Sequence, residues 1–318
     1  MDRPLLYITR LLPQPVLDAI PRHYDVLLEP TDHPPTMEEL RRGFHQADAV
    51  ICTLTDRIEA SLLSHTTRLK IIANYAVGYN NIDLSATTQH GIIVTNTPDV
   101  LTDATADLTW ALLLGVSRRV AEGHTWVRTG TWPGWTPTQL LGAAVSGKLL
   151  GIIGMGRIGQ AVAQRAAGFR MPVIYAGRHP VSPPSNLTWD RLPLDTVLAQ
   201  SDFLSLHVPL TDTTHHLIGP RELARMKPTA YLINTSRGPV VDEAALVSAL
   251  AAGSIAGAAL DVYEQEPLVS AGLLSLPNVL LLPHLGSATL ETRVRMGQIC
   301  LDNIAALFEG RLVPNRVN

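Results

Sequence analysis

Cysteine is scarce in this chain: Cys52 and Cys300 are the only two, too few for a disulfide framework, and Cys52 sits inside an apolar, strand-like run. That usage suits a reducing compartment, and a cytoplasmic location is the expectation. No apolar stretch approaches the roughly 18 residues needed to span a bilayer, and Met1–Arg10 lacks a signal-peptide pattern. Runs of like charge are missing as well. The formal net charge is -3, which leaves no basic surface for nucleic acid, and no charge block marks a tail or a membrane-binding segment. There is no internal repeat and no low-complexity segment. What remains is a chain of 318 residues, 46% hydrophobic and 17% charged, a composition that suits a folded α/β protein of two domains.

The most informative stretch is Leu150-Gly151-Ile152-Ile153-Gly154-Met155-Gly156-Arg157-Ile158-Gly159. It reads as a short strand, a glycine turn and a helix start, continued by a helical pattern from Gln160 to Phe169. Gly154 allows the tight turn, Gly156 lets backbone approach a pyrophosphate, and Gly159 lets the helix pack on the strand, while first-turn N–H groups face the anion. Dinucleotide binding is the reading, with contacts at Gly154, Met155, Gly156, Arg157, Ile158 and Gly159. About 145 residues precede this turn and must form something else.

Ahead of it, Leu5–Thr9, Val26–Leu28, Ala49–Thr53, Leu69–Asn74 and Ile92–Thr95 read as strands with helical patterns between them, a small doubly wound parallel sheet. Val100 to about Arg128 reads as one long helix, too apolar on too many faces for a solvated one, and is expected at a domain or subunit interface. The loop Gly130–Gly142 carries Trp132 and Trp135, which call for burial somewhere. A second βα series follows through Leu149–Ile153, Val173–Ala176, Phe203–Leu206, Ala230–Asn234, Ala256–Asp261 and Val279–Leu282, the six strands of a Rossmann unit. Ser287–Glu309 is helical and, by returning to the first domain, would make it discontinuous. The expected architecture is therefore α/β with two doubly wound parallel-sheet domains: a Rossmann dinucleotide-binding domain over 100–286, inserted in a flavodoxin-like substrate domain made of 1–99 and 287–318.

Further motifs are Tyr75-Ala76-Val77-Gly78-Tyr79-Asn80-Asn81-Ile82-Asp83, Ile233-Asn234-Thr235-Ser236-Arg237-Gly238, Leu260-Asp261-Val262-Tyr263-Glu264-Gln265-Glu266-Pro267 and Leu282-Pro283-His284-Leu285-Gly286-Ser287. In this order, over nearly the whole chain, they resemble the D-isomer-specific 2-hydroxyacid dehydrogenases. Thr102-Asp103-Ala104-Thr105-Ala106, the tryptophan loop and the segment after the second Rossmann strand are most similar to the glyoxylate and hydroxypyruvate reductases of that family. Asp107 stands where the family usually has Glu.

The resemblance implies a catalytic set of Arg237, Glu266 and His284, each following a predicted strand. Arg237 offers a planar fork that matches a carboxylate and reaches the carbonyl oxygen. His284 is the expected proton donor, and Glu266, the acid directly before Pro267 rather than Glu264, would hold the imidazole. Substrate contacts are implied at Leu54, Val77, Gly78, Trp135, Arg237, His284 and Ser287, and further cofactor contacts at Thr105, Val208, Pro209, Thr214, Thr235, Asp261 and Gly286. Trp135 resembles an aromatic residue that reaches a neighbouring subunit's pocket, and with the apolar helix it points to a homodimer. His215-His216 lacks a Cys or acidic cluster and reads as structural, with no metal implied.

An NAD enzyme would carry an acid about 20 residues after the first glycine, yet Tyr175-Ala176-Gly177-Arg178-His179 has none, and Arg178 is placed for a 2′-phosphate. NADP(H) is the preferred cofactor on this reading, with NAD(H) also used. In phosphoglycerate dehydrogenases a basic residue near the end of the third strand helps hold the substrate phosphate; Cys52-Thr53-Leu54-Thr55 contains none, so a small unphosphorylated 2-keto acid is expected, glyoxylate and hydroxypyruvate first. The alternatives are a dehydrogenase for D-lactate, 2-ketogluconate or phosphoglycerate, an enzyme acting on formate or phosphite, and a dinucleotide-sensing binding protein like the corepressors that share this fold.

Overall fold

The structure, a computed structural model, describes residues 3–30, 32–64 and 66–318; Met1, Asp2, Thr31 and His65 lie outside that description. The chain divides into two units, Met1–Leu101 with Ala288–Asn318, and Thr102–Ser287. In the first, β1 (Leu5–Ile8), α1 (Gln14–Asp18), β2 (Asp25–Leu28), α2 (Met37–Gln46), β3 (Ala49–Cys52), α3 (Ala60–Leu63), β4 (Ile71–Asn74), α4 (Leu84–Gln89) and β5 (Ile93–Thr95) alternate. All five strands are parallel in the order β2-β1-β3-β4-β5. Every residue of β3 and β4 is buried, which is why these strands are continuously apolar rather than alternating.

The second unit holds α5 (Thr102–Ser117), α6 (Val120–Arg128), β6 (Leu150–Ile153), α7 (Arg157–Ala166), β7 (Val173–Ala176), β8 (Trp189–Arg191), α8 (Leu194–Gln200) and β9 (Phe203–Leu206). It continues with α9 (Pro220–Leu223), β10 (Tyr231–Asn234), α10 (Glu243–Ala251), β11 (Gly257–Leu260), α11 (Ala271–Ser275) and β12 (Val279–Leu281). Its sheet has seven strands, all parallel, in the order β12-β11-β10-β9-β6-β7-β8, so the topological switch lies between β6 and β9. The expected count of six is corrected by β8. Its three residues, of which only Trp189 is buried, are too short and too polar to register as a strand in the sequence.

The expected single helix over 100–128 is likewise two. Arg119 takes a left-handed conformation, φ 52°, and its guanidinium bonds Glu122 at 2.8 and 2.6 Å, turning the chain between α5 and α6. The all-round apolarity of α5 has a local cause. It is buried inside its own unit among Leu150, Ile152, Ile233 and Ala259, with Trp110 stacked on Phe169 at 4.5 Å and its Nε1 donating to Val162 O at 3.1 Å. An interface is not needed to explain it.

The last helix, α12 (Leu290–Phe308), starts at Thr289, whose hydroxyl accepts from Thr292 N–H. Met296, Cys300, Leu301 and Ile304 pack with Leu6, Ile8, Val16 and Ile71 in the core of the first unit. Among the described residues no helix is long and apolar enough to cross a membrane. Because Ile304 is 1% exposed, Ile304→Ala should cost roughly 2–5 kcal/mol, read from urea unfolding. A loss below about 1 kcal/mol would mean that α12 is not part of that core.

Candidate active site

Parallel strands bring every loop that follows a strand to one edge of the sheet, and in the second unit these loops carry most of the residues singled out in the sequence. Gly154, after β6, has φ +96°, and a Cβ there would stand 2.5 Å from His207 O. A Cβ on Gly159 would stand 2.2 Å from Gly154 O, whereas one on Gly156 would meet nothing within 4 Å. The turn is thus closed on the protein side and open where a phosphate would lie. The N-cap of α7 is Gly156, which has no side chain to cap the helix, so first-turn N–H groups remain for an anion. These features fit a dinucleotide.

His207, which sequence reasoning did not single out, shares its Nε2 with Ser205 Oγ at 2.8 Å, and burial pulls its imidazole down to about 3. A neutral histidine therefore backs the turn. Arg178 follows β7 in an exposed turn. Val208, Pro209 and Thr214 form the loop after β9, where Thr214 Oγ1 donates to Pro209 O at 2.6 Å.

After β10, Asn234 shapes the next loop. Its Oδ1 accepts from Ser236 N and Oγ at 3.0 and 2.7 Å, and its Nδ2 donates to Arg237 O at 3.0 Å. The following Gly238 is forced by close approach: a Cβ would sit 1.9 Å from Tyr263 C and O. That contact lays the Arg237 loop directly on the loop after β11. There Glu266 accepts from Tyr263 N–H through Oε1 at 3.1 Å and holds His284 Nδ1 through Oε2 at 2.8 Å. Tyr263 ties the loop after β12 in turn, its hydroxyl donating to Leu282 O at 2.8 Å. His284 itself has φ 57°, an uncommon conformation for a residue with a side chain and one concentrated at functional sites. Arg237, Glu266 and His284 are therefore gathered in one unit.

The charges condition one another. Burial pushes Glu266 up, but the hydrogen bond and charge of His284, the Tyr263 N–H and the Arg237 charge outweigh it and hold the carboxyl below its usual range. Burial pulls the Arg237 guanidinium down from its very high ordinary value, opposed by Glu266, and it remains a cation. Asp261, 1% exposed, accepts Leu285 N–H at 2.6 Å and Gly286 N–H at 2.8 Å; burial pushes its carboxyl up against these bonds and nearby His284. Thr105 Oγ1 donates to Gly286 O at 3.0 Å, and Thr109 shares a hydrogen bond with Thr235 at 2.9 Å, so α5 anchors two of these loops from beneath. Ser287 ends the unit, half-buried.

The first unit carries the remaining substrate candidates at the same kind of edge. Leu54 is half-buried after β3. Val77 and Gly78 follow β4, their carbonyls held by Asn96 Nδ2 and Asn74 Nδ2, each at 2.8 Å. Although 52–55 has no cation of its own, the fold supplies one from beyond β1: Arg10 Nη2 donates to Thr55 Oγ1 at 2.8 Å. Asp56 stands 3.7 Å from it and offsets its charge. This neighbour is invisible to any reading of the β3 loop alone. Trp135 and Trp132 are 77% and 49% exposed, so the expected burial does not occur within the chain. His216 pairs with Glu264 and stacks on His215, and among the described residues no His, Cys, Asp and Glu cluster is arranged for a metal.

A fingerprint turn, a switch point and an imidazole–carboxylate pair at one sheet edge are what a nicotinamide-dependent oxidoreductase requires. Comparison with known proteins narrows the class. The profile of the D-isomer specific 2-hydroxyacid dehydrogenase NAD binding domain matches residues 110–286. The glyoxylate reductase of Thermococcus litoralis is 47% identical, covering 99% of this chain and 97% of its own, and that of Aeropyrum pernix is also 47% identical, covering 100% and 97%. Among solved structures, a protein of Thermus thermophilus superposes with a TM-score of 0.93 at 45% identity, covering 99% of this chain and 100% of its own. The NADPH-dependent glyoxylate/hydroxypyruvate reductase of Sinorhizobium meliloti, in complex with NADP and malonate, superposes at 0.88 with 34% identity, covering 99% and 97%. The chain belongs to the D-isomer-specific 2-hydroxyacid dehydrogenase family and is an NAD(P)-dependent enzyme of that family.

A depressed Glu266 contributes stability that is present above its unfolded value and is lost only as pH falls through its lower folded value. The destabilisation caused by Glu266→Gln, measured by thermal unfolding, should therefore persist from about pH 7 to about pH 5 and shrink only below the ordinary carboxylate range. A deficit that disappears by about pH 5 would contradict the pairing.

Proposed function

We propose that this enzyme is an NADPH-preferring reductase of small 2-keto acids, glyoxylate and hydroxypyruvate foremost, to the corresponding 2-hydroxy acids. The observation that carries the reading is the 2.8 Å pairing of His284 with Glu266, in the field of half-buried Arg237. Bound NADPH supplies the hydride that reduces C2. Arg237 grips the substrate carboxylate and polarises the carbonyl. In the first unit, the Val77 and Gly78 backbone and the Leu54 side chain are the candidate substrate contacts. His284 gives a proton to the carbonyl oxygen from Nε2, because Nδ1 is engaged by Glu266, which holds the ring in place. In the oxidative direction the same imidazole accepts the proton. The glyoxylate reductase relatives and the NADPH-dependent glyoxylate/hydroxypyruvate reductase of Sinorhizobium meliloti support the substrate class.

Residues 154–159 would hold the pyrophosphate, Asp261 and Thr235 the nicotinamide end, and Arg178 the 2′-phosphate. A second copy of the chain covers the exposed apolar side chains of Val120, Val127, Trp132, Trp135 and Leu141 in the homodimer we infer. His284→Ala should lower kcat by roughly 10²- to 10⁴-fold while NADPH binding, followed by fluorescence, is kept. Near-normal kcat would refute the proton-donor role. Arg178→Ala should raise the KM for NADPH with little change for NADH; an unchanged ratio of the two would refute the cofactor assignment.

A further inference from the structure

We propose that Arg191 is a positioning residue for cofactor specificity: it fastens the turn after β7 and adds its charge to a site for a 2′-phosphorylated adenosine, an inference that rests on the NADP(H) reading above. Arg191 lies on β8, the edge strand absent from any sequence pattern, in register with Tyr175 of β7. Its Nε donates to Gly177 O and its Nη2 to Arg178 O, both at 3.0 Å. A planar guanidinium can span two successive carbonyls in this way, whereas an ammonium cannot hold both in one plane.

While those carbonyls are bonded to Arg191, the N–H groups of Gly177, Arg178 and His179 donate to no protein acceptor among the described residues and stay available to an anion. The turn also stands beside the fingerprint: a Cβ on Gly177 would be 3.8 Å from Met155 N. An anion held there would lie next to the pyrophosphate turn, where the adenosine ribose of a dinucleotide belongs.

Charge makes the same point. Arg178, His179 and Arg191 are exposed within this short stretch, and 175–182 contains no Asp or Glu. Asp190, the adjacent acid, points to the other face of the strand and makes no ion pair with Arg191 among the described residues. Arg191 thus brings a second positive charge to the turn that carries Arg178, and no acid of 175–182 offsets it.

The test is equilibrium binding, by calorimetry, of adenosine 2′,5′-bisphosphate and 5′-AMP to the wild-type protein, Arg191→Met and Arg191→Lys. Arg191→Met should weaken the bisphosphate by roughly tenfold while 5′-AMP stays within about twofold. Arg191→Lys, which keeps the charge and loses the fork, should fall between. An unchanged preference in Arg191→Met, or an equal loss for both nucleotides, overturns the inference. A wild-type protein that does not prefer the bisphosphate refutes the NADP(H) reading itself, whereas wild-type preference that survives Arg191→Met refutes only the role of Arg191.

Discussion

The contact of Gly238 with the backbone of Tyr263 is the constraint on which the rest of the site depends. Only a residue without a side chain lets two loops from neighbouring strands lie so close, since a Cβ would come to 1.9 Å of the Tyr263 carbonyl. From that contact the site follows in order. One loop presents Arg237, the other presents Glu266, and Glu266 captures His284 from a third loop that Tyr263 also holds through its hydroxyl. Parallel strands supply the common edge, and the glycine closes the distance along it.

Several ionised groups share this edge, and each would be costly to bury alone. They are tolerated because each supplies what another lacks: Glu266 meets His284 and the field of Arg237, and Asp261 meets two backbone N–H groups. The threonines of α5 stiffen the same loops from beneath, which makes a helix that looks like an interface in sequence into a support for the chemistry. Preorganised charge of this kind acts most strongly where water is scarce.

Strand positions in both units were legible because parallel, doubly covered strands are continuously apolar, as at Ala49–Cys52 and Phe203–Leu206. β8 was not, because an edge strand of three residues with polar Asp190 and Arg191 has no such signal. The break between α5 and α6 was hidden for another reason: Arg119 is an ordinary helix former whose left-handed conformation is stabilised by its own ion pair with Glu122, not by a glycine or proline that a reader could see. Among site residues, Arg237, Glu266 and His284 stood out through their motifs. Asn74, Thr109 and His207 lie outside those motifs, and Asn234 and Tyr263, though inside them, showed no role, since each acts by shaping backbone or holding a neighbour rather than by its own chemistry.

The sequence by itself determined the class: a glycine fingerprint needs its particular backbone whatever surrounds it, and apolar runs of strand length must pair and be covered. It also determined which side chains could carry acid–base chemistry and anion binding. Tertiary structure alone decided which of them meet. The closure of Gly238 on Tyr263, the Arg10 guanidinium at Thr55, and the grip of Arg191 on the β7 turn depend on strand order and register. These are long-range quantities, fixed when the whole sheet packs and written in no local stretch of residues.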